Sequence, residues 1–511
     1  MLTSPSQPVN KIDFDEKMVV QLPECSLAWA DSLQPADTKV TGPPLTACPP
    51  VVEVAELEEL YSENVVAKIW RTADSFIKEH MAYHGLSMQP SFDAYPEHVP
   101  ESGPGAGTYE AKPARFWTCG FFPSSLYCIL ERYTKFPNRT PFSALPSDNI
   151  SSPDSSYHAQ LLGLCRAWSA PLRAQASRTD THDLGFMMHS LRMDWELTGD
   201  PSSLKAYITA ANSLASRFDE RVGAIRSWDQ IKRLNFEVHD KENNFLIIVD
   251  SMCNMDLLFY SAYHSQTPRL AAIAKEHAQT VMATLIRPDD STWHVANLDQ
   301  HAPQKGTVKY RMTHQGLADD STWSRGQAWV VLGFAQTYMW TGDVEFLSAC
   351  VRLTEHFLAR LRDSPAQKCP WVPLWDFSDT SGEADSTGDR LRDVSAGMIA
   401  ANGMLLLHQA LQVRRDRGNN VRYDGRRYLD TALNIASDTI QYAFDKGDSA
   451  RLDVDENGKV KVPAGSWDAI LRHSTANNNP DAVMRYKDHG LVYADYYFLE
   501  FGNKLLRMGL V

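Results

Sequence analysis

The sequence predicts an all-helical toroid built from helix pairs, and three observations carry the prediction. Apolar residues recur at three and four positions in one segment after another from Val51 to the C-terminus, which is the period of an amphipathic helix. Two junctions repeat almost literally, DWELTGDPSSLKAYITAANSLASRF from Asp194 and TYMWTGDVEFLSACVRLTEHFLARL from Thr337. Every second helix also begins just after a polar, charged or aromatic residue and then continues with small and apolar ones.

Residues 1–50 are rich in proline, with Pro43, Pro44, Pro49 and Pro50 closing the segment, so a continuous helix is not expected there and the segment reads as an extension or belt. From residue 51 to 511 the chain reads as one domain. Helices are expected near 51–83, 117–135, 155–177, 183–198, 201–218, 248–264, 267–286, 325–341, 343–362, 393–414, 425–444 and 489–507, which makes six hairpins. In both Thr-Gly-Asp junctions the glycine ends one helix and the aspartate is placed to cap the next. Repeated helix pairs bury a shared core by stacking, in a solenoid or a closed ring. The connections opposite the tight junctions, 219–247, 287–324 and 363–392, are long. Long loops gathered at one end are where a cleft is built, which favours a ring with one functional face.

Composition narrows the partners. A net charge of −13 over 511 residues argues against nucleic acid or an acidic membrane as a bulk electrostatic partner. The eight cysteines, at 25, 48, 119, 128, 165, 253, 350 and 369, form no CxxC pairs, so reduced thiols are expected rather than a zinc site or a disulfide framework. The N-terminus lacks a basic-then-apolar secretory signal and no stretch reads as a membrane span, so the expected location is cytoplasmic. Histidine spacing matches no metal motif and phosphate loops are missing, so neither metal nor cofactor is expected.

The segments that begin the inner helices are RFWTCGFFPSSLY at 115, THDLGFMMHSL at 181, IIVDSMCNMDLLFY at 247, STWSRGQAWVVLGF at 321, LRDVSAGMIAANGML at 391 and KDHGLVYADYYFLE at 487. Helices apolar around most of their circumference belong inside, so their N-terminal residues should converge on one mouth. Asp183 and Asp250 share a register on successive inner helices. Each alone also reads as an N-cap. As a pair they suit a sugar-cleaving enzyme, which needs carboxyl groups of unequal pKa. Asp250 follows the apolar run FLIIV and should be raised by desolvation, while Asp183 beside His182 should stay ionised.

The run RMTHQGLADDSTWSRGQAW, 311–329, gathers His314, Gln315, Trp323, Arg325, Gln327 and Trp329. Indole faces stack on sugar C–H surfaces, amides bind hydroxyls, and an arginine takes a carboxylate through paired hydrogen bonds. The competing reading makes the tryptophans core, whereas Arg325 is costly to bury without an anion. His294 lies in a loop before an inner helix, where it reads as a ligand contact or as a structural histidine.

Together these segments resemble glycoside hydrolase family 88, the unsaturated glucuronyl hydrolases. HDLGF at 182, IIVDSMCNMDLLF at 247, the stretch from THQG to WSRGQAW at 313, LRDVSAGMIA at 391 and ADYYFLE at 494 occur in the family's order, and the likeness runs from about residue 51 onward. The resemblance implies an (α/α)6 barrel that cleaves oligosaccharides carrying a 4,5-unsaturated uronic acid at the non-reducing end. It also implies hydration of the C4=C5 enol ether in place of displacement at the anomeric carbon. On that resemblance Asp250 is the general acid and base, Asp183 positions the ring, and Trp117, His182, His294, Gln315, Trp323, Arg325 and Trp329 contact substrate. An unsaturated rhamnogalacturonyl hydrolase, a conventional inverting glycosidase, and a non-catalytic carbohydrate-binding toroid are the alternatives. Sequence leaves the oligomeric state and the parent polysaccharide open.

Overall fold

A computed structural model describes residues 52–84, 94–145, 156–366, 368–416 and 423–511. The proline-rich segment 1–50 lies outside the described residues. Twelve α-helices are present among those described: α1 Glu63–His84, α2 Phe121–Lys135, α3 Tyr157–Ser169, α4 Leu184–Thr198, α5 Pro201–Ala215, α6 Ser251–Ser265, α7 Pro268–Leu285, α8 Ser324–Thr341, α9 Val344–Arg362, α10 Val394–Asp416, α11 Gly425–Ala443 and α12 Val492–Arg507.

The even-numbered helices form the inner ring, because each packs on the next and α12 returns to α2. Their residues are buried on nearly every face, as a helix inside a second layer requires. The odd-numbered helices pack outside. One stretch, Val394–Arg415, is long and apolar enough to cross a membrane, contrary to the sequence expectation, but 83% of its most apolar window is buried in this ring. Closure is fixed by polar bonds between the first and last inner helices. Arg132 donates to Asn503 Oδ1 at 2.5 Å and to the Leu499 carbonyl at 2.9 Å, while Arg507 bonds Glu131 at 2.6 Å.

Both Thr-Gly-Asp junctions end a helix in left-handed backbone, at Gly199 (φ 72°) and Gly342 (φ 70°). The aspartates then diverge. Asp200 caps α5 by accepting from Ser202 N at 2.9 Å, whereas Asp343 makes no such bond and pairs with Lys275 at 2.8 Å. The expected first helix, 51–83, breaks at Ser62 into a 3-10 turn, Val54–Tyr61, and α1.

Several expected helix starts are strands. Phe245–Ile248 pairs antiparallel with Val295–Leu298, which pairs with Val308–Met312. His489–Leu491 pairs with Ala94–Pro100, so a three-stranded sheet feeds directly into α12. Four consecutive apolar residues fit a buried strand as well as a buried helix turn, and here the long connections need edges to pair with. The six described cysteines, 119, 128, 165, 253, 350 and 369, are free and buried, while Cys25 and Cys48 lie outside the described residues.

Candidate active site

The two aspartates meet because a glycine lets their helices touch. A β-carbon on Gly185 would stand 2.7 Å from Asn254 Oδ1 and 2.8 Å from its Cα, a separation that real side chains do not adopt. Asn254 Oδ1 in turn accepts from Phe186 N at 3.1 Å, pinning the first turn of α4 to α6. Two short connections set the approach to each helix. His182 N donates to Ser227 O at 3.1 Å, and Val249 N donates to His294 O at 3.0 Å.

Asp183 and Asp250 each occupy the N-cap position of their helix, yet neither side chain caps it. That removes the capping explanation for both. His182, fully buried, holds its Nε2 3.0 Å from Asp183 Oδ1 and 3.5 Å from Asp250 Oδ1. Asp183 Oδ2 also accepts from Thr181 Oγ1 at 2.6 Å.

These partners divide the pair electrostatically. Burial raises Asp250 to about 6, with the Asp183 charge adding to the effect while His182 and Arg325 oppose it. Burial also pushes Asp183 upward, but the His182 charge and the bonds from His182 and Thr181 win and hold it below the usual carboxylate range. Burial opposes protonation of His182, and the two carboxylates overcome it, so its pKa is raised. The site can therefore hold a protonatable Asp250 beside an ionised Asp183 and an imidazolium. The same three residues offer ligand atoms within 4.8 Å of one another, the spacing of a metal site. Protonated Asp250 and charged His182 are the forms that do not coordinate a cation.

His294 leads into its strand with Nδ1 accepting from His314 N at 3.1 Å, and its ring lies 4.4 Å from that of Trp323. Burial holds its pKa well below the usual value, so the imidazole is neutral and Nε2 carries the proton. That Nε2 and Trp323 Nε1 are buried without a hydrogen bond from the protein, as are Asp250 Oδ1 and His314 Nδ1. Orphaned polar atoms gathered in one place mark where a polar ligand would supply the missing bonds. Gln315 donates from Nε2 to Ala476 O at 3.3 Å.

Arg325 differs from expectation. It is fully buried and pairs with Asp393 at the start of α10, while also donating to Thr475 O at 2.8 Å and Ala476 O at 2.5 Å. The anion that makes its burial tolerable is the protein's own carboxylate, and its guanidinium is not a free clamp for a ligand. Its Cζ lies 4.5 Å from the Trp323 ring centroid, so the pair stiffens the indole.

Trp329 is also core. It is 1% exposed, with its ring 5.0 Å from Phe186 and 5.6 Å from Tyr497. Trp117 is half-buried and packs on Tyr493 (5.1 Å) and Phe186 (5.8 Å), forming an aromatic wall beside the aspartates. Sequence reasoning missed Trp228, whose ring lies between His182 and His314, at 6.3 and 5.4 Å. No pattern marks it. Asp393 was findable, because it stands before α10 in the register that singled out Asp183 and Asp250.

A cavity of about 420 Å³ extends from Gly185, Phe186 and Cys253, behind the two aspartates, to the other end of the ring, where Arg192, Asp256, Glu500, Lys504 and Arg507 help to line it. There the charges satisfy one another: Arg192 pairs with Asp256, and Glu500 with both Lys504 (2.7 Å) and Arg507 (3.0 Å). The chemistry therefore points to the mouth with orphaned atoms and unequal carboxyls.

No protein-family model matches the chain. It is 30% identical over 391 residues to an unsaturated glucuronyl hydrolase of Formosa agariphila, covering 76% of this chain and 79% of that protein. An unsaturated glucuronyl hydrolase of Bacillus sp. strain GL1 is 30% identical over 322 residues, covering 63% and 73% respectively. Among solved structures, an unsaturated glucuronyl hydrolase specific for heparin superposes with a TM-score of 0.63 at 26% identity, over 89% of this chain and 98% of that one.

Proposed function

We infer, from the premise that this chain belongs to the unsaturated glucuronyl hydrolases of glycoside hydrolase family 88, that Asp250 and Asp183 drive its chemistry with unequal roles. The protein is a glycoside hydrolase that removes a 4,5-unsaturated uronic acid from the non-reducing end of oligosaccharides left by polysaccharide lyases. The observation that carries the assignment of roles is the split between the two carboxyls, with Asp250 near 6 and Asp183 held ionised.

Asp250, protonated, gives its proton to C4 of the enol ether, and positive charge develops on C5 and the ring oxygen. Asp183 lies where its charge stabilises that cation, in a dry site where the interaction is strong. Water adds at C5 and returns a proton to the Asp250 carboxylate, so the acid is regenerated. The C5 hemiketal then opens and the glycosidic oxygen leaves C1, with one water consumed overall. His294 presents a neutral N–H, and Trp323, Trp117 and Gln315 are proposed to contact the sugar. Arg325 acts through its positive field and by holding Trp323, not as a carboxylate clamp. The cytoplasmic location expected from the N-terminal sequence remains part of this proposal.

The test is optical. Incubation with lyase-generated unsaturated disaccharides should abolish the ultraviolet absorption of the conjugated double bond as the saturated sugar is released. Release of sugar with the absorption intact would indicate ordinary displacement at the anomeric carbon and overturn the hydration mechanism.

A further inference from the structure

Ser251, the first residue of α6, directly follows Asp250 and is fully buried. Its hydroxyl donates to the Ile248 carbonyl at 2.6 Å and lies 2.8 Å from Nε2 of His277, a fully buried side chain on outer helix α7. The other ring nitrogen, Nδ1, accepts from the backbone N–H of Ile225 at 3.0 Å. A nitrogen that accepts holds no proton, so His277 is the neutral Nε2–H tautomer and donates to Ser251. Burial, with the His182 charge adding to it, pushes its pKa down to about 3, so the tautomer persists at any working pH.

The result is one directed chain, from Ile225 N–H to His277 to Ser251 to the Ile248 carbonyl. It is not a nucleophilic dyad, because the imidazole donates to the hydroxyl instead of accepting from it, and the hydroxyl is sealed from solvent. What it spans is the strand-to-helix turn that bears Asp250. The Asp250 carboxyl does not cap its helix and its Oδ1 makes no hydrogen bond, His182 Nε2 standing 3.5 Å away as a charge partner only, so the turn beneath the carboxyl shares in setting its place.

We propose that His277 and Ser251 are positioning residues for Asp250, with the outer helix fixing, through this hydrogen-bond chain, where the acid sits and how far it is kept from water. The inference rests on the reading of Asp250 as the acid. Displacing a reacting group by about an ångström can cost about a hundredfold in rate, so a loosened turn is visible in turnover. A looser turn also lets water reach Asp250, which lowers its pKa and moves the alkaline limb of the pH profile to lower pH.

Asparagine at 277 reaches the place of Nδ1 and keeps the Ile225 bond, while glutamine reaches the place of Nε2 and keeps the bond to Ser251. We therefore expect His277→Asn and Ser251→Ala to lose about tenfold or more in kcat with little change in KM, and their alkaline limbs to shift to lower pH. His277→Gln should recover most of kcat and the wild-type limb. Wild-type kcat and pH profile in Ser251→Ala and His277→Asn, or equal impairment in His277→Gln and His277→Asn, overturns the proposal. Should His277→Asn fail to fold, Ser251→Ala and His277→Gln decide it. Asp250→Asn separates the two readings: activity in that variant defeats the role of Asp250, whereas inactivity there beside unchanged Ser251→Ala and His277→Asn defeats this inference alone.

Discussion

Replacing Asp250 by asparagine should move activity and stability in opposite directions. The substitution is nearly isosteric and removes only the ionisable proton. Burial raises this carboxyl from 3.8 to about 6, so at neutral pH roughly a tenth of the enzyme carries the acid form, against less than a thousandth for an unshifted carboxyl. Loss of a positioned general acid costs about a hundredfold to ten-thousandfold, and asparagine offers no substitute, so turnover should fall by at least that much. Binding of an unsaturated disaccharide, followed by calorimetry, should be largely preserved.

The folded state binds this proton more tightly than the unfolded state does. Below pH 3.8 both states are protonated and the site costs nothing; as pH rises from 3.8 to about 6 only the unfolded chain releases the proton, and stability is lost. Above 6 the penalty is constant, at most about 3 kcal/mol. Asp250→Asn should therefore melt up to about 3 °C above the wild type at pH 7.5 and close to it near pH 4. Turnover within tenfold of the wild type would refute the chemical assignment, and an unchanged Tm difference across that range would refute the electrostatic one.

Three further outcomes follow from the same geometry. The wild-type kcat should fall about tenfold per pH unit above about 6, as the acid form of Asp250 is depleted, and a flat profile to pH 8 would exclude it as the titrating group. Gly185→Ala forces a β-carbon against Asn254 and should cost about 1–3 kcal/mol in denaturant unfolding, with a fall in kcat as the helix starts separate; wild-type values of both would show that α4 and α6 can part freely. Arg325→Met strands the buried Asp393 carboxylate and should destabilise by about 3–5 kcal/mol in the same assay, whereas a loss under about 1 kcal/mol would refute the ion pair as a support of the fold.

The ring itself was legible in the sequence because its inner helices are apolar all round and start in a common register. That register placed Asp183 and Asp250 together, and the flanking FLIIV and His182 gave the direction of each pKa. The same register would have yielded Asp393, but its partner Arg325 sits 68 residues earlier, and ion pairs between separate hairpins leave no local pattern. Trp329 shows the limit from the other side. An indole six residues from Trp323 reads as a second stacking surface, yet that spacing, between one and two helical turns, carries it below the mouth and into the aromatic core. The strand 245–248 was hidden for a different reason, since an apolar run leading straight into a buried helix has no boundary that periodicity can detect, and the three residues of 489–491 are too few to show a period of their own.

The bonds from Arg132 to Asn503 and from Arg507 to Glu131 join parts of the chain made far apart in synthesis. At translation rates of about 5–20 residues per second, the 371 residues between Arg132 and Asn503 take roughly 20–70 s to appear. Throughout that interval the buried face of α2 has no neighbour on one flank; once α10 is made it too waits for α12, and the nascent protein is a curved stack with two apolar ends. The last helix is the keystone of the arch: a chain terminated before Val492 lacks Tyr493 at the mouth and leaves the ring with a sticky seam, so premature termination yields an aggregation-prone product as well as an inactive one.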